Sequence, residues 1–333
     1  MRKRREICLS YFGCARIGSF EVISLEAVKN VLLGILLALF AAALLLFPAD
    51  AAGAAREGLS LCLTSVLPSL FPFFVLSSLC VSSGAAEALA RLLTPLMRPL
   101  FGVGGAGAGA LALGLVGGYP VGARTAAELY RRGAVTKSEA ERLLGFCSNA
   151  GPGFILGVCG SVLQNQRAGA YLYLVHVASA LLAGLLLRVV PAGRAAERRA
   201  WTTPAAAKRA ADFPAAVRES FAAVWSVCGF VVIFAVVLRL LTLALPEGAA
   251  DAPWYPALLG FAELTNGALA VRPGRAGFVL CAALLGWGGL SVHAQTLSVL
   301  DGTGLSVRWY FPGKALHAAL SALLAYACAG MVY

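Results

Sequence analysis

Residues 113–125 read LGLVGGYPVGART and residues 284–296 read LLGWGGLSVHAQT. Aligned without gaps, at an offset of 171 residues, they share Leu113/Leu284, Gly117/Gly288, Gly118/Gly289, Val121/Val292, Ala123/Ala294 and Thr125/Thr296. Each is an apolar segment broken by a pair of glycines. At membrane depth no water satisfies the N–H and C=O groups that a broken helix frees, so such a break survives only where protein or a polar cavity encloses it. Matching interruptions in two halves of a chain point to the binding site of a transporter.

Composition supports the membrane setting. The 333 residues are 59% hydrophobic and 13% charged, with a mean hydropathy of +0.80, more apolar surface than a soluble domain of this size can hide. The net charge of +11 is gathered in a few Lys/Arg clusters without interleaved aromatic residues, which reports membrane orientation and gives no nucleic-acid site. Nine cysteines form no CxxC pair and no Cys/His cluster, so neither a metal nor a redox centre is expected. No P-loop, HExxH or nucleophile-plus-base pattern is present. The chain is therefore read as having no catalytic residues, no metal and no cofactor.

The pattern predicts an all-α polytopic membrane protein with six spanning helices, at 28–48, 58–82, 141–163, 168–190, 216–243 and 306–331. The first follows a basic start but, at about 20 residues and 1.5 Å per residue, reaches across a bilayer and reads as a retained anchor. Two further segments, 106–130 and 275–300, contain the Gly-Gly breaks and read as re-entrant hairpins. Residues 85–100 and 255–271 are too short or too polar to span; they lie along the interface or pack inside as bent helices.

Residues 1–27 and the linker between the halves carry excess Lys and Arg, which places both in the cytoplasm. Residues 246–254 carry Glu247 and Asp251 with no Lys or Arg, and fall outside. The first hairpin then enters from the cytoplasm and the second from the opposite face. The two halves form an inverted repeat, the architecture of many secondary transporters. Arg56-Glu57 and Arg218-Glu219 open matching helices, and residues 64–76 resemble 225–237. The expected organisation is a basic N-terminus (1–27), an anchor helix and loop (28–57), a first repeat (58–190), a basic cytoplasmic linker (191–214) and a second repeat (215–333).

Candidate site residues sit at the breaks. Gly117, Gly118 and Tyr119, followed by Pro120, free backbone N–H groups at the start of an outgoing half-helix, which favours an anion; the alternative is a small-residue helix contact. Gly288, Gly289 and Ser291 lead to His293 and Gln295, polar groups that at membrane depth usually face a cavity. Ser148 and Asn149 precede Pro152, which leaves the Ser148 carbonyl without its helical donor; the alternative is a locally stabilised kink. Glu263 and Asn266, in ELTNG, are candidates for coupling or pairing, or mark the end of an interfacial helix. Arg124 pairs with an acid or snorkels to the cytoplasmic surface. Lys314 follows a weaker break at Pro312-Gly313 and faces an anionic substrate or the interface. His176 reads as a helix contact, and His317 stands alone.

The ordered set GGYPVGART, LLGFCSNAGPGFILG, ELTNG and GGLSVHAQT resembles the YlbJ-type sporulation integral membrane proteins, within the nucleoside-recognition, or Gate, domain superfamily. The resemblance covers roughly residues 26–331. It implies a fold like that of the concentrative nucleoside transporters, with re-entrant hairpins and broken helices. It also implies a role in spore formation at the outer forespore membrane, passing dipicolinic acid from mother cell toward forespore. Expected partners are a small anionic substrate and the lipid bilayer, with no nucleic acid, and the pattern is compatible with a homo-oligomer. A nucleoside or other metabolite transporter, and a non-transporting scaffold in spore-envelope assembly, are the competing readings. A polar cavity between the breaks marks a transporter, and tightly packed apolar breaks mark a scaffold.

Overall fold

The structure, a computed structural model, describes residues 28, 30–82, 85–188 and 212–333. The basic N-terminus and the linker up to residue 211 lie outside the described residues. Among those described, the regular structure is all helix, without strands, and the chain is an all-α polytopic membrane protein. Five helices are long and apolar enough to cross a membrane: Pro48–Leu76, Arg167–Leu187, Phe213–Thr242, Arg275–Leu300 and Tyr310–Val332. Met1–Gly53 and Ala54–Tyr333 are two compact units. Within the first, helix α1 (Asn30–Leu46) exposes Leu32, Leu36 and Leu39 along its length, a surface suited to lipid.

From Pro48 the chain runs through α2 (Pro48–Leu61), a wide π turn (Cys62–Val66) and α3 (Leu67–Ser82). Helix α4 (Ala85–Leu96) and a second π turn (Met97–Phe101) follow. Arg91–Phe101 is bent by 116° against Gly105–Gly117, so the 85–100 stretch does not continue straight into the first break. Met97 at its end is fully buried.

Helices α5 (Ala108–Gly117) and α6 (Val121–Arg131) pack on one another as a hairpin. A Cβ on either Gly114 or Gly122 would meet the other's Cα at 3.2 or 3.0 Å. Gly104, just before the hairpin, donates its N–H to Glu139, just after it, at 2.8 Å. The segment therefore leaves by the face it entered, as the sequence predicts. Helix α7 (Lys137–Cys147) opens on a capping box between Thr136 and Glu139 and stops at Ser148. The chain resumes at Pro152 as a π turn (Gly153–Cys159) and α8 (Gly160–Val162). Asn165 caps α9 (Gln166–Leu187).

The second half begins with α10 (Phe213–Thr242), capped by Asp212 with Pro214 in its first turn, where proline's missing N–H costs nothing. Next come α11 (Tyr255–Ala262), α12 (Leu264–Ala270), α13 (Arg275–Trp287), α14 (Gly289–Leu300) and α15 (Tyr310–Val332). Here the structure corrects the expected layout. Arg275–Leu300 does not turn back: it is a single broken span, starting where Arg275 donates to the carbonyl of Tyr333 and ending at the opposite face, where Asp301 shares a cleft with Arg131 and Glu219. The second hairpin is α11–α12. These helices pack on each other, with Gly260 and Gly267 in backbone contact. Asp251 before them and Arg272 after them pair at 3.9 Å. The 255–271 stretch thus enters the bundle as a bent hairpin. About two turns of helix on each arm suffice, because the tip need reach only the broken span beside it.

The inverted repeat holds in a different register. Helices α2–α3 and α10 run antiparallel: Gly58 meets Val232 and Ala235, Cys62 donates to the Cys228 carbonyl and Phe71 meets Phe221. Helices α9 and α15 also run antiparallel, with Asn165 bonded to Val332 and His176 to His317. Each half is then a long helix, a hairpin, a broken helix and a closing helix. The 171-residue alignment had paired a hairpin with a broken span.

Candidate functional site

The two hairpin tips and the two helix breaks meet in pairs. Gly118, with φ +75°, lies against Gly151 so closely that a Cβ would stand 3.0 Å from the Gly151 nitrogen. Gly289, with φ +79°, lies against the other tip, where a Cβ would stand 2.8 Å from the Leu264 nitrogen. Positive φ and contact between backbones are what only glycine tolerates. Tyr119 joins the pairs: its hydroxyl donates to the Leu285 carbonyl at 2.8 Å and packs beside Gly288.

Between the tips lies a cavity of about 50 Å³, lined by Gly118, Tyr119, Gly151, Glu263, Thr265 and Gln295 among apolar neighbours from α3 and α10. It has room for a few water molecules. Two larger clefts flank it. One, of about 670 Å³, is lined by Pro120, Arg124, Arg131, Glu219, Gln295 and Asp301. The other, of about 300 Å³, lies at the far end of α10 and is lined by Glu57, Arg239, Thr242, Tyr255 and Asn266. One face of α10 runs through all three at helical spacing: Glu219, Ala223 and Ser226 in the first cleft, Val227 and Val231 at the centre, and Ala235, Leu238 and Thr242 in the second. The breaks enclose a small space and are not packed shut.

Some polar groups at the centre have defined partners and others have none. Glu263, 2% exposed, caps α12 by accepting from the Asn266 N–H at 2.7 Å and its side-chain amide at 2.9 Å, and accepts from Ser291 at 3.3 Å. Asn149 donates to the Phe146 carbonyl at 2.9 Å, leaving its own side-chain oxygen, like the Ser148 hydroxyl, buried without a partner. The Ser148 carbonyl, freed as Pro152 predicts, is taken by Lys314 at 3.0 Å.

Of the residues singled out from sequence, Gly118, Tyr119, Glu263 and Gln295 line the central cavity, Arg124 and Asn266 line the flanking clefts, and Gly117, Gly288, Gly289 and Ser291 form the surrounding backbone and second rank. Arg124 is exposed, in keeping with snorkelling. His293 points elsewhere. Its Nδ1 meets the Tyr310 hydroxyl at 2.8 Å, and Trp287, Tyr310 and Phe311 present edges around its ring.

Three residues gain a place that their sequence neighbourhood did not suggest. Lys314 is fully buried and contacts Tyr119, Ser148 and His317. The His176 and His317 rings contact each other at a tilt of 40°, and His176 Nε2 accepts from the Ala150 N–H at 3.0 Å. A sequence signal existed: HVASALLAG at 176–184 and HAALSALLA at 317–325 mark the true register of the repeat.

A family model described as Gate, nucleoside recognition, matches residues 63–186, which span the first hairpin and the first broken helix. The chain is 30% identical over 339 residues to the sporulation integral membrane protein YlbJ of Bacillus subtilis (strain 168), a similarity that covers 90% of this chain and 83% of that protein. No solved structure matches the chain.

Proposed function

Because the chain belongs to the family of the sporulation integral membrane protein YlbJ, we propose that it is a membrane transporter or facilitator for a small organic anion, dipicolinic acid moved from mother cell toward forespore. The observation that carries this reading is the row of three cavities along one face of α10, with its constriction where hairpin tips and helix breaks meet. Helices α6 and α14 begin at that constriction, and the helix after the first break begins beside it. Helix N-termini carry partial positive charge and free N–H groups, which suit carboxylates. The Tyr119 ring offers a face to a planar aromatic acid.

A cluster of basic residues, Arg131, Arg132, Lys137 and Arg308, gathers at one end of the bundle, against the more scattered Arg239, Arg272 and Arg275 at the other. By the positive-inside rule this end, with the N-terminus and the linker, is cytoplasmic, and in a sporangium the membrane would be the outer forespore membrane. The larger cleft then opens to the mother cell. No step needs a catalytic group, so the protein is read as a carrier and not an enzyme.

The central lining also supports a second cargo. Glu263, Thr265 and Gln295 supply a carboxylate and neutral hydrogen-bonding groups without a cation, a set suited to the hydroxyls and base of a nucleoside, in line with the matched Gate description. Uptake of labelled dipicolinate and of labelled uridine into proteoliposomes separates the readings. Saturable dipicolinate uptake carries the first and uridine uptake the second. Uptake of neither, by protein that is folded in the vesicles, leaves the scaffold.

A further inference from the structure

Lys314 is the one lysine in α15 and is 0% exposed. Its Nζ donates to the Ser148 carbonyl at 3.0 Å and the Tyr119 hydroxyl at 3.2 Å, and lies 3.4 Å from His317 Nδ1. All three partners can only accept. A carbonyl has no proton. The Tyr119 proton is already given to Leu285. His317 Nε2 faces the His176 carbonyl at 3.0 Å, so Nε2 carries the imidazole proton and leaves Nδ1 a bare lone pair. An ammonium has three N–H groups for three acceptors; a neutral amine has two and would aim its own lone pair at the third. The geometry therefore specifies the charged form.

That charge has no counterion. The titratable groups facing Lys314 are Tyr119 at the hairpin tip, Cys147 at the end of α7, His176 on α9, His293 on α14, and Tyr310 and His317 on its own helix. None is a carboxylate, and among the described residues no acid forms an ion pair with it. An ammonium without a counterion at membrane depth is costly, and here its three hydrogen bonds and the Tyr119 ring, whose centroid lies 5.1 Å from Nζ, sustain it. Two of the three come from the first hairpin tip and the first helix break. If the tip withdraws from the break, Lys314 loses the acceptors that hold its proton.

We propose that Lys314 is the proton-carrying group of the transport cycle: it is protonated when the tip of α5–α6 is docked on the Ser148 break, and it gives up that proton when the tip undocks. This rests on the transport reading for its use, though not for its test. Proton binding and hairpin position become one equilibrium, and a pH gradient drives the carrier through it. The proton comes from and returns to solvent, with no covalent change in the protein.

Two measurements on the full-length protein test this. The first needs no substrate. Hydrogen exchange of the hairpin peptide around 114–124 is followed from pH 6 to pH 10 and corrected for intrinsic exchange rates. In the unmodified protein, protection of the tip falls as pH rises through one transition. In Lys314→Arg, which keeps its charge over this range, the tip stays protected. In Lys314→Met it is unprotected at every pH. Tip protection that does not change with pH in the unmodified protein, or that changes equally in the arginine variant, overturns the proposal.

The second is uptake of labelled dipicolinate, with uridine as a parallel arm, into vesicles with an imposed pH gradient. One proton per cycle and a gradient of one pH unit sustain about tenfold accumulation. Lys314→Met retains substrate exchange but no longer accumulates. Accumulation by the methionine variant overturns the proposal. The pH-linked exchange transition without transport of either probe would leave the proton site standing and remove the transport reading. Uptake that ignores the pH gradient would do the reverse.

Discussion

His176 and His317 lie ring against ring with centroids 4.5 Å apart, one from each closing helix of the repeat. About one turn further on, Ser179 and Ser321 share a hydrogen bond of 2.7 Å. The residue separations, 141 and 142, show that equivalent residues of the two halves meet where the halves cross. The pairs are buried and polar within apolar helices, so they specify the crossing point more than they add energy.

The serine pair gives the first prediction. Interhelical hydrogen bonds inside membranes average about 0.6 kcal/mol, so Ser179→Ala and Ser321→Ala each destabilise by roughly that much. Because they remove one shared bond, the double variant costs less than the two together. Thermal unfolding in detergent reads this out; strict additivity would mean that the bond does not join the helices. His317→Ala is more severe, about 1–3 kcal/mol, because it leaves one N–H of the buried Lys314 without its acceptor.

The hairpin contact gives the second. A Cβ on Gly114 would sit 1.8 Å from the Cys147 carbonyl oxygen, and one on Gly122 would sit 1.9 Å from it. Backbone cannot yield as a side chain does, so Gly114→Ala and Gly122→Ala each cost at least about 3 kcal/mol or displace the hairpin. Gly109 and Gly229 have open space around them and no positive φ, and alanine there is neutral or slightly stabilising, within about 1 kcal/mol. Yield of monodisperse protein separates the two pairs.

How much of this was legible beforehand follows from where each signal lives. The breaks are local: Gly117-Gly118, Gly288-Gly289 and Pro152 announce themselves by composition, and the first of them does sit at the tip of a hairpin. The second hairpin was hidden because its arms, α11 and α12, are 8 and 7 residues long, too short to read as an entering and returning pair. The Gly-Gly match at 171 residues then drew the hairpin onto the wrong segment. Glycine pairs serve both a tip and a break, so identity of type did not mean identity of place. Lys314 was hidden for a different reason. Its acceptors lie 166 and 195 residues away, and without them a lysine after Pro312-Gly313 looks like a helix start at the surface.

A third prediction concerns the join between the halves at the basic end. Glu141 is 2% exposed, accepts from the Ser306 N–H at 3.0 Å and pairs with Arg308 at 2.9 Å. Arg308 is itself more than half exposed, so losing the pair leaves a solvated cation, not a buried one. Glu141→Gln keeps an acceptor for Ser306 and costs about 1 kcal/mol. Glu141→Leu strands that N–H as well and costs about 2–3 kcal/mol. Equal melting temperatures for the two variants would place the stability in the side chain's packing instead of its hydrogen bonds.

The last prediction sets Gln295 against His293. They are two residues apart on α14, but Gln295 lines both the central cavity and the larger cleft, whereas His293 is enclosed by Trp287, Tyr310 and Phe311. A side chain that touches cargo changes transport without changing the fold. One that holds two helices together changes both. Gln295→Ala should lower the initial rate of uptake by about tenfold, the equivalent of about 1.4 kcal/mol, with melting temperature unchanged. His293→Ala should lower the melting temperature first, by leaving the Tyr310 hydroxyl with Thr296 alone and a void among three aromatic rings, at about 2–4 kcal/mol. Its transport should fall in proportion to the folded protein that remains. A His293→Ala protein of normal stability and lost uptake would return that histidine to the cargo path, and an unaffected Gln295→Ala would take the central cavity out of it.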